Sequence, residues 1–225
     1  MTPDTPPRIG VITGLAAEAA CLHGRGYDIF CCGAQPARAR VGVQSLISNG
    51  ASGLVSFGLA GGLDPALAPG TLILAATIIT PQGDHLETDS AWRQTIRQST
   101  KISMIESTIA GSETALMTTD GKQALHHATG AVAVDMESHI VAAAAREAGL
   151  PFLVIRAVAD PAARTIPDIA MAGVDAEGNT RIFGILATLL RRPGELPKLL
   201  QLAIDSRKAF AALRHAAKAD FSTEN

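Results

Sequence analysis

Residues 53–62 read Gly-Leu-Val-Ser-Phe-Gly-Leu-Ala-Gly-Gly, a short apolar run followed directly by a cluster of glycines. An apolar run of this length, stopped by glycine, is typical of a strand that is buried on both faces. We therefore predict a strand over Gly53–Phe57 that breaks at Gly58. Similar runs occur at 8–13 and 152–158, and unbroken apolar strands are characteristic of parallel sheets covered by helices.

The segments between these runs have the spacing of helices, so strands and helices alternate along the chain. This alternation predicts an α/β fold, with three αβα layers around a central, mostly parallel mixed sheet. Neither a repeat nor a linker divides the sequence, so we predict one domain over 1–225 with a basic helical segment at 181–218. The polar stretch Gln82–Thr108 predicts only loops and an amphipathic helix. The other predicted elements are strands at Tyr27–Cys32, Thr71–Thr80 and Thr129–Val134, and helices that begin near Ala16 or span Ala37–Ser48, Glu137–Ala148, Ile182–Leu190 and Leu196–Arg214.

Composition and charge exclude several classes of protein. Hydrophobic residues make up 47% of the 225 residues and charged residues 18%, which excludes intrinsic disorder. The net charge of −2 excludes a protein with a wholly basic surface, and we expect no nucleic-acid partner. No apolar run reaches the ~18 residues of a membrane span. The three cysteines lack paired spacing, so we expect no disulfide framework, no metal site and a reducing, cytoplasmic location.

Four short segments lie where predicted strands end. In open α/β sheets, ligands bind beyond the carboxyl ends of the strands, so the candidates for a site are Gly14–Glu18, Gly58–Leu63, Asp135–Ser138 and Arg156–Asp160. Three of the four carry carboxylates, and this convergence predicts an enzyme. The glycine cluster alone is weak evidence. Its spacing fits neither a dinucleotide nor a P-loop motif, and by itself it favours a tight turn without a ligand.

Each charged residue in these segments has a structural and a functional interpretation. At the predicted strand-to-helix junction, Glu137 fits an N-cap, or a carboxylate that accepts hydrogen bonds from two sugar hydroxyls with Met136 against the ring. Asp160 and Arg156 fit a structural salt bridge, or a general acid and a residue that positions a nucleophile. Glu18 fits a negative charge at a helix N-terminus that has a structural role only. These residues by themselves leave the alternatives open.

Taken together, four motifs resemble a known family. Ile9–Glu18, Phe57–Leu63, Val134–Ser138 and Val154–Asp160 occur in the order found in the nucleoside phosphorylase and nucleosidase superfamily. That superfamily includes purine nucleoside phosphorylases and methylthioadenosine/S-adenosylhomocysteine nucleosidase. The resemblance covers residues 8–160 and implies cleavage of the N-glycosidic bond between ribose and a purine.

The resemblance also implies a role for each of the conspicuous residues. Glu18 falls where the nucleosidases place the carboxylate that activates water, and Arg156 falls where an arginine supports the nucleophile. Glu137 matches the ligand of the ribose hydroxyls, and Met136 matches the residue beneath the sugar. Asp160 matches the acid that assists protonation of purine N7. No cofactor is implied.

Three departures from the family pattern concern the nucleophile and the sugar. Leu59 stands where many relatives have a Ser or Thr that reaches the nucleophile, and Ser56 where the hexameric phosphorylases have an arginine. Both changes weaken a phosphate site, so we expect water as nucleophile and keep phosphate as the alternative co-substrate. Asp135 replaces a glutamate of many relatives, and Thr118–Lys122 is our candidate for the purine-contacting loop. The predicted substrate-binding residues are Met136, Glu137, Leu59, Ala60, Gly61 and Asp135.

Further details are similar to one branch, the hopanoid-associated phosphorylases. They are Gly58–Pro65, Pro69-Gly70, Val134–Ser138, Arg191–Pro193 and Leu196-Pro197. This similarity implies removal of adenine from adenosylhopane, giving ribosylhopane by hydrolysis or phosphoribosylhopane by phosphorolysis, and relatives suggest a homodimer. The alternatives are a methylthioadenosine/S-adenosylhomocysteine nucleosidase and a nucleoside-binding module without catalysis.

The C-terminal segment 195–215 predicts a basic amphipathic helix. Leucines at 196, 199 and 200 recur at helical spacing, and Lys198, Arg207 and Lys208 add positive charge. Such a helix can lie on an anionic membrane surface, where a lipid substrate would be found. The alternative, which most amphipathic helices follow, is that its apolar stripe packs on the sheet.

Overall fold

A mixed sheet forms the centre of the protein in the computed structural model, which describes residues 8–167, 178–179, 194 and 196–222. Within these residues the sheet has eight strands. The strands are β1 (Ile9–Thr13), β2 (Asp28–Cys31), β3 (Gly53–Gly62), β4 (Leu72–Ile79), β5 (His85–Glu87), β6 (Ile105–Gly111), β7 (Ala133–Asp135) and β8 (Phe152–Asp160).

The strand pairings close part of this sheet into a ring. Strands β2, β1, β3 and β8 pair in parallel in that order, and β4 joins the far side of β8 in the antiparallel sense. From β4 the sheet continues in parallel through β6 to β7, which pairs antiparallel with β3 again. Strand β5 extends the sheet antiparallel to β4. The ring brings the ends of β3, β7 and β8, which are far apart in sequence, to one place.

Helices cover both faces of the sheet, as predicted. Helices α2 and α5 pack on one face through a core that includes Val43 and Val141. Helices α3 and α6 pack on the other, through Trp92 and Leu213. The α/β fold with a central mixed sheet between helices is therefore confirmed. The helices are α1 (Ala16–Ala20), α2 (Pro36–Ser48), α3 (Ser90–Ser99), α4 (Thr119–Thr129), α5 (Ser138–Ala148) and α6 (Leu196–Ala216).

The predicted break at Gly58 is wrong. Strand β3 continues to Gly62 because its last residues pair with β8 on one side and with β7 on the other. The ladder to β8 shifts register between Ala60 and Gly61, which leaves Ala159 of β8 without an opposite residue. Such a β-bulge bends the strand and changes the direction of the next side chain. Here that side chain belongs to Asp160.

Two other element predictions are also corrected. Thr129 ends helix α4 rather than beginning a strand, because Gly130 adopts a left-handed conformation at φ 68° that stops the helix. The segment Gln82–Thr108 contains strand β5 and the start of β6 besides helix α3. The predicted helix Ile182–Leu190 lies outside the described residues, and the single domain over 1–225 stays a prediction.

Helix α6 packs on the sheet through its C-terminal half. Ala209 and Leu213 are fully buried there, whereas Leu196, Leu200 and Ile204 in the N-terminal half remain 45–56% exposed. The prediction that the apolar stripe packs on the sheet thus holds for one half of the helix. Within the described parts of the chain, every helix is too short or too polar to cross a membrane.

Two leucines on this helix test its packing. Leu213→Ala removes a fully buried side chain and should lower the free energy of unfolding by about 2–5 kcal/mol. Leu200→Ala makes the same chemical change at a position that is 56% exposed, and it should cost less than ~0.5 kcal/mol. Urea denaturation measures both. Equal losses would contradict the docking of the C-terminal half on the sheet.

Candidate active site

A cavity of about 220 Å³ lies where the four predicted segments meet. Gly14 and Glu18 come from the turn after β1 and from α1, and Asp160 comes from the end of β8. The remaining wall is formed by β3, by the β7–α5 junction and by two loops that the sequence did not indicate. These residues are Leu59, Ala60, Gly61, Asp135, Met136 and Glu137, together with Thr114, Ala115, Leu116 and Ile166 of the loops.

Glu18 is a buried carboxylate held by main-chain amides. Its Oε2 accepts hydrogen bonds from the amides of Gly14 and Leu15, and its Oε1 accepts one from the amide of Leu59, each at 2.8 Å. Burial raises the pKa of Glu18, while Arg156 and these amides act in the opposite direction. The position of Glu18 in the first turn of α1 lets it reach the amides that precede the helix.

Arg156 is the central cation of the site, but it does not line the cavity. Its guanidinium is fully buried and forms an ion pair with Asp135, with Nε 2.5 Å from Oδ2. Its Nη2 donates to Ser56 at 2.6 Å and to Glu137 at 3.2 Å. These acceptors occupy the guanidinium, so any effect of Arg156 on the cavity passes through the side chains that surround it.

Gly58 is required by this arrangement. A Cβ atom at Gly58 would lie 2.5 Å from Nη1 of Arg156 and 2.7 Å from Cδ of Glu18, both closer than real Cβ contacts. The glycine therefore lets β3 pass directly against the guanidinium and the carboxylate. The cluster that resembled a tight turn in the sequence is a strand that makes room for charged side chains.

Asp135 and Glu137 have different environments although they are two residues apart. Asp135 accepts hydrogen bonds from the amide and the hydroxyl of Ser138 at the start of α5, and it forms an ion pair with Arg156. It lies at the cavity wall, yet only 1% of its side chain is exposed. Glu137 lies at the N-cap position without forming a side-chain cap. The N-cap alternative therefore holds for the position of Glu137 but not for its side chain, since Asp135 accepts the hydrogen bond from the first amide of α5.

The pKa of Glu137 is raised to about 7. Burial is the largest cause, and the neighbouring carboxylates of Asp135 and Glu18 add to it, whereas Arg156 lowers the pKa. A carboxyl with such a pKa changes its charge near neutral pH. It is thus sensitive to any positive charge that develops in the cavity.

Asp160 forms a buried ion pair with Lys122, which sequence reasoning missed. Burial raises the pKa of Asp160 to about 6, and the Lys122 ammonium opposes that rise. The candidate purine loop Thr118–Lys122 is instead the start of α4, where the Thr118 hydroxyl accepts from the amide of Gly121 at 3.1 Å. The side chain of Lys122 points to Asp160, 38 positions away, and no local pattern indicates such a distant pair.

The rest of the wall is apolar. Leu59, Ala60 and Met136 line the cavity as predicted, and Leu116 and Ile166 from the loops join them. Among the described residues, no group of His, Cys, Asp or Glu is placed to bind a metal ion. That no metal or cofactor is needed stays a prediction.

Replacement of Arg156 by Met should destabilise the protein by about 3–5 kcal/mol, because it leaves buried carboxylates without their cation. Arg156 lowers the pKa of Glu18 and of Glu137, so its loss raises both. Protonated carboxyls tolerate burial and ionised ones do not, so the deficit should grow as the pH rises from 5 to 8. Melting temperatures of the variant and the native protein at both pH values measure it. A deficit that is equal at pH 5 and pH 8 would refute this electrostatic account.

A family model described as "Phosphorylase superfamily" matches residues 10–191, most of the chain. The match includes all four segments that line the cavity. No curated protein matches the chain significantly.

Solved structures with the same fold include two kinds of nucleosidase. Futalosine hydrolase of Helicobacter pylori is 17% identical, with a TM-score of 0.62 over 69% of this chain and 88% of its own. The 5'-methylthioadenosine/S-adenosylhomocysteine nucleosidase of H. pylori is 14% identical, with a TM-score of 0.66 over 95% of this chain and 98% of its own. The corresponding nucleosidase of S. pneumoniae is 18% identical, with a TM-score of 0.66 over 94% and 99%. At these identities the likeness shows the fold.

Proposed function

Because the chain belongs to the phosphorylase superfamily, we propose that it is an enzyme that cleaves an N-glycosidic bond, and that it hydrolyses adenosylhopane to adenine and ribosylhopane. The observation that carries the proposal is the meeting of Glu18, Glu137 and Asp160 around one cavity. Cleavage of such a bond needs an acid for the leaving base, a base for the nucleophile and negative charge near the sugar. The three carboxyls can supply one each.

Glu137 is suited to bind the ribose. One of its oxygens is held by Arg156, its carboxyl faces the cavity, and Met136 beside it offers an apolar surface for the ring. The sugar acquires positive charge as the bond to the base breaks. An ionised Glu137 then stabilises the transition state more than the bound substrate, which is the condition for catalysis.

Glu18 is suited to activate water. Its three amide donors fix the carboxylate in one orientation, and burial makes it a stronger base than an exposed glutamate. A base with a raised pKa takes a proton from water more readily. The proton moves from water to Glu18 as the water oxygen attacks the anomeric carbon.

Asp160 is suited to protonate the departing purine. Its pKa of about 6 keeps a fraction of the carboxyl protonated near neutral pH, which an ordinary aspartate would not retain. The proton passes from Asp160 to N7 while the glycosidic electrons move to the base. Adenine leaves as a neutral molecule.

The charges around the cavity favour water over phosphate. Among the described residues that line it, none is lysine or arginine. The two buried cations nearby, Arg156 and Lys122, are each paired with carboxylates of the wall. A phosphate dianion would therefore meet negative charge without a free cation to offset it.

The lipid part of the substrate is supported by two apolar surfaces. Leu59, Leu116 and Ile166 line the cavity, and the exposed stripe of Leu196, Leu200 and Ile204 lies on α6. Arg207, Lys208 and Arg214 are exposed further along that helix. We propose that this face of α6 rests on an anionic membrane surface and that the enzyme, a cytoplasmic homodimer, meets its substrate there.

The decisive experiment measures adenine release from adenosylhopane, with and without phosphate. Free adenine and ribosylhopane should form at the same rate in both cases, because the proposal assigns the attack to water. Strict dependence on phosphate would replace hydrolysis by phosphorolysis. Efficient release from methylthioadenosine and S-adenosylhomocysteine, with none from adenosylhopane, would favour the soluble-substrate alternative.

Asp160→Asn tests the role of Asp160 in catalysis, since it keeps the shape of the side chain and removes the carboxyl proton. It should lower kcat by about 10²–10⁴. Glu137→Gln should lower kcat as well, because the amide no longer stabilises positive charge on the sugar. A native protein that binds adenine but cleaves no adenosine derivative, and whose binding is unchanged by either substitution, would identify a module without catalysis.

Flotation with lipid vesicles tests the membrane contact. The native protein should bind vesicles that contain anionic lipid, less so at high salt, and the double variant Leu200→Glu, Ile204→Glu should bind several-fold less. Val41→Glu is the matched control, because Val41 is 66% exposed but lies on α2, on the other face of the sheet. If the double variant binds as well as the native protein, α6 does not make the contact.

A further inference from the structure

Lys122 contacts Asp160 but does not itself take part in the proposed bond cleavage. We infer that Lys122 is a positioning residue for the leaving-group acid: it holds one carboxylate oxygen of Asp160 and thereby sets the pH at which the other can deliver a proton. This inference rests on the proposed function only for the use that is made of the proton. The contact itself belongs to the fold.

The ammonium of Lys122 is completely enclosed and fully bonded. The side chain is 0% exposed. Its Nζ donates to Oδ2 of Asp160, to the carbonyl oxygen of Pro161 at 3.1 Å and to that of Arg164 at 3.0 Å. An ammonium has three N–H donors, and all of them are used. Lys122 therefore has no donor left for substrate and does not line the cavity, so it acts through Asp160.

The three bonds also fix the backbone that carries the acid. The bulge at Ala159 turns Asp160 towards Gly61 and the cavity, and the chain then leaves the sheet. Lys122 ties Asp160, Pro161 and Arg164 to α4, so the direction of the carboxyl depends on one side chain. With Oδ2 bound to Lys122, Oδ1 is the oxygen left to exchange a proton with a ligand.

Three charged groups face Asp160 from the elements packed around it. They are Lys122 from α4, Arg164 from the loop after β8, and Asp205 from α6. Lys122 and Arg164 lower the pKa of Asp160 and Asp205 raises it, against the larger effect of burial. Arg164 and Asp205 form an ion pair with each other at 3.0 Å, which offsets their effects. Among the described residues, Lys122 is thus the cation whose charge acts on Asp160 most directly.

The pH dependence of kcat for adenine release tests the inference. Asp160 must be protonated to act as an acid, so activity falls as the pH rises through its pKa. Lys122→Met removes the cation that favours the ionised form of Asp160. The descending limb of the plot of kcat against pH should therefore shift to higher pH by about one to three units. Lys122→Arg retains a cation, so its limb should stay close to that of the native enzyme. Lys101→Met, at an exposed lysine, should change nothing.

A structural role alone predicts a different result. In that case Lys122→Met would lower kcat equally at every pH and leave the limb in place, and this outcome would overturn the inference. A limb that moves in Lys122→Arg as it does in Lys122→Met would also overturn it, because the charge is then irrelevant. Should the Met variant fail to fold, Lys122→Gln, which keeps a hydrogen-bond donor without the charge, takes its place.

A titration without substrate separates this inference from the proposed function. The Asp160 carboxyl is followed by ¹³C NMR in the native protein and in the Lys122 variants, with Asp160→Asn to assign the resonance. Its pKa should rise in Lys122→Met and not in Lys122→Arg. If the native protein releases no adenine, the proposed function fails, but this titration still decides whether Lys122 controls the protonation of Asp160. An unchanged pKa in Lys122→Met would refute that control.

Discussion

The site depends on one buried guanidinium. Arg156 lies in β8 with no exposure to solvent, and it forms ion pairs with Asp135 at the end of β7 and with Glu137 just before α5. Carboxylates packed this closely cannot all stay ionised in a protein interior without a cation. The path of β3 depends on the same charged groups, because a side chain at position 58 would collide with the guanidinium and with Glu18. The packing of the apolar strand β3 and the placement of the buried charges therefore depend on each other.

A second buried cation repeats this arrangement at the other end of the cavity. Lys122 holds Asp160 in the same way that Arg156 holds Glu137, and in both cases burial raises the pKa of the carboxyl that lines the cavity. Each cation is paired behind the wall, so the cavity presents carboxyls and apolar side chains to a ligand. This division suits a reaction in which positive charge appears on a sugar and a base must accept a proton. The same division is the basis of our proposal that water is the nucleophile.

Much of this could be predicted from local patterns. Apolar runs in the sequence predicted the buried strands. Glu18, Glu137 and Asp160 could be placed at one edge of the sheet because the carboxyl ends of strands in an α/β sheet share that edge. The prediction of a tight turn at the glycine cluster was wrong, because a tight turn and a strand that passes close to a large side chain both require glycine. The loop residues Thr114–Leu116 were not predicted, because their contribution to the cavity wall depends on the tertiary path of the chain, which hydrophobic periodicity does not encode. Helix-start rules place the capping carboxylate of α5 at Glu137. In the structure the amide and the hydroxyl of Ser138 donate to Asp135 instead.

The amino-acid sequence by itself determined the alternation of strands and helices, the family, and which acids end the strands, because these depend on residue type and short-range spacing. Only the tertiary structure decided which cation serves which carboxylate. The pairs of Arg156 with Asp135 and of Lys122 with Asp160 join residues that are far apart in sequence, and they form because the folded sheet brings these side chains together and buries them. Burial strengthens such pairs and raises the pKa of Asp160, and burial is a property of the folded chain.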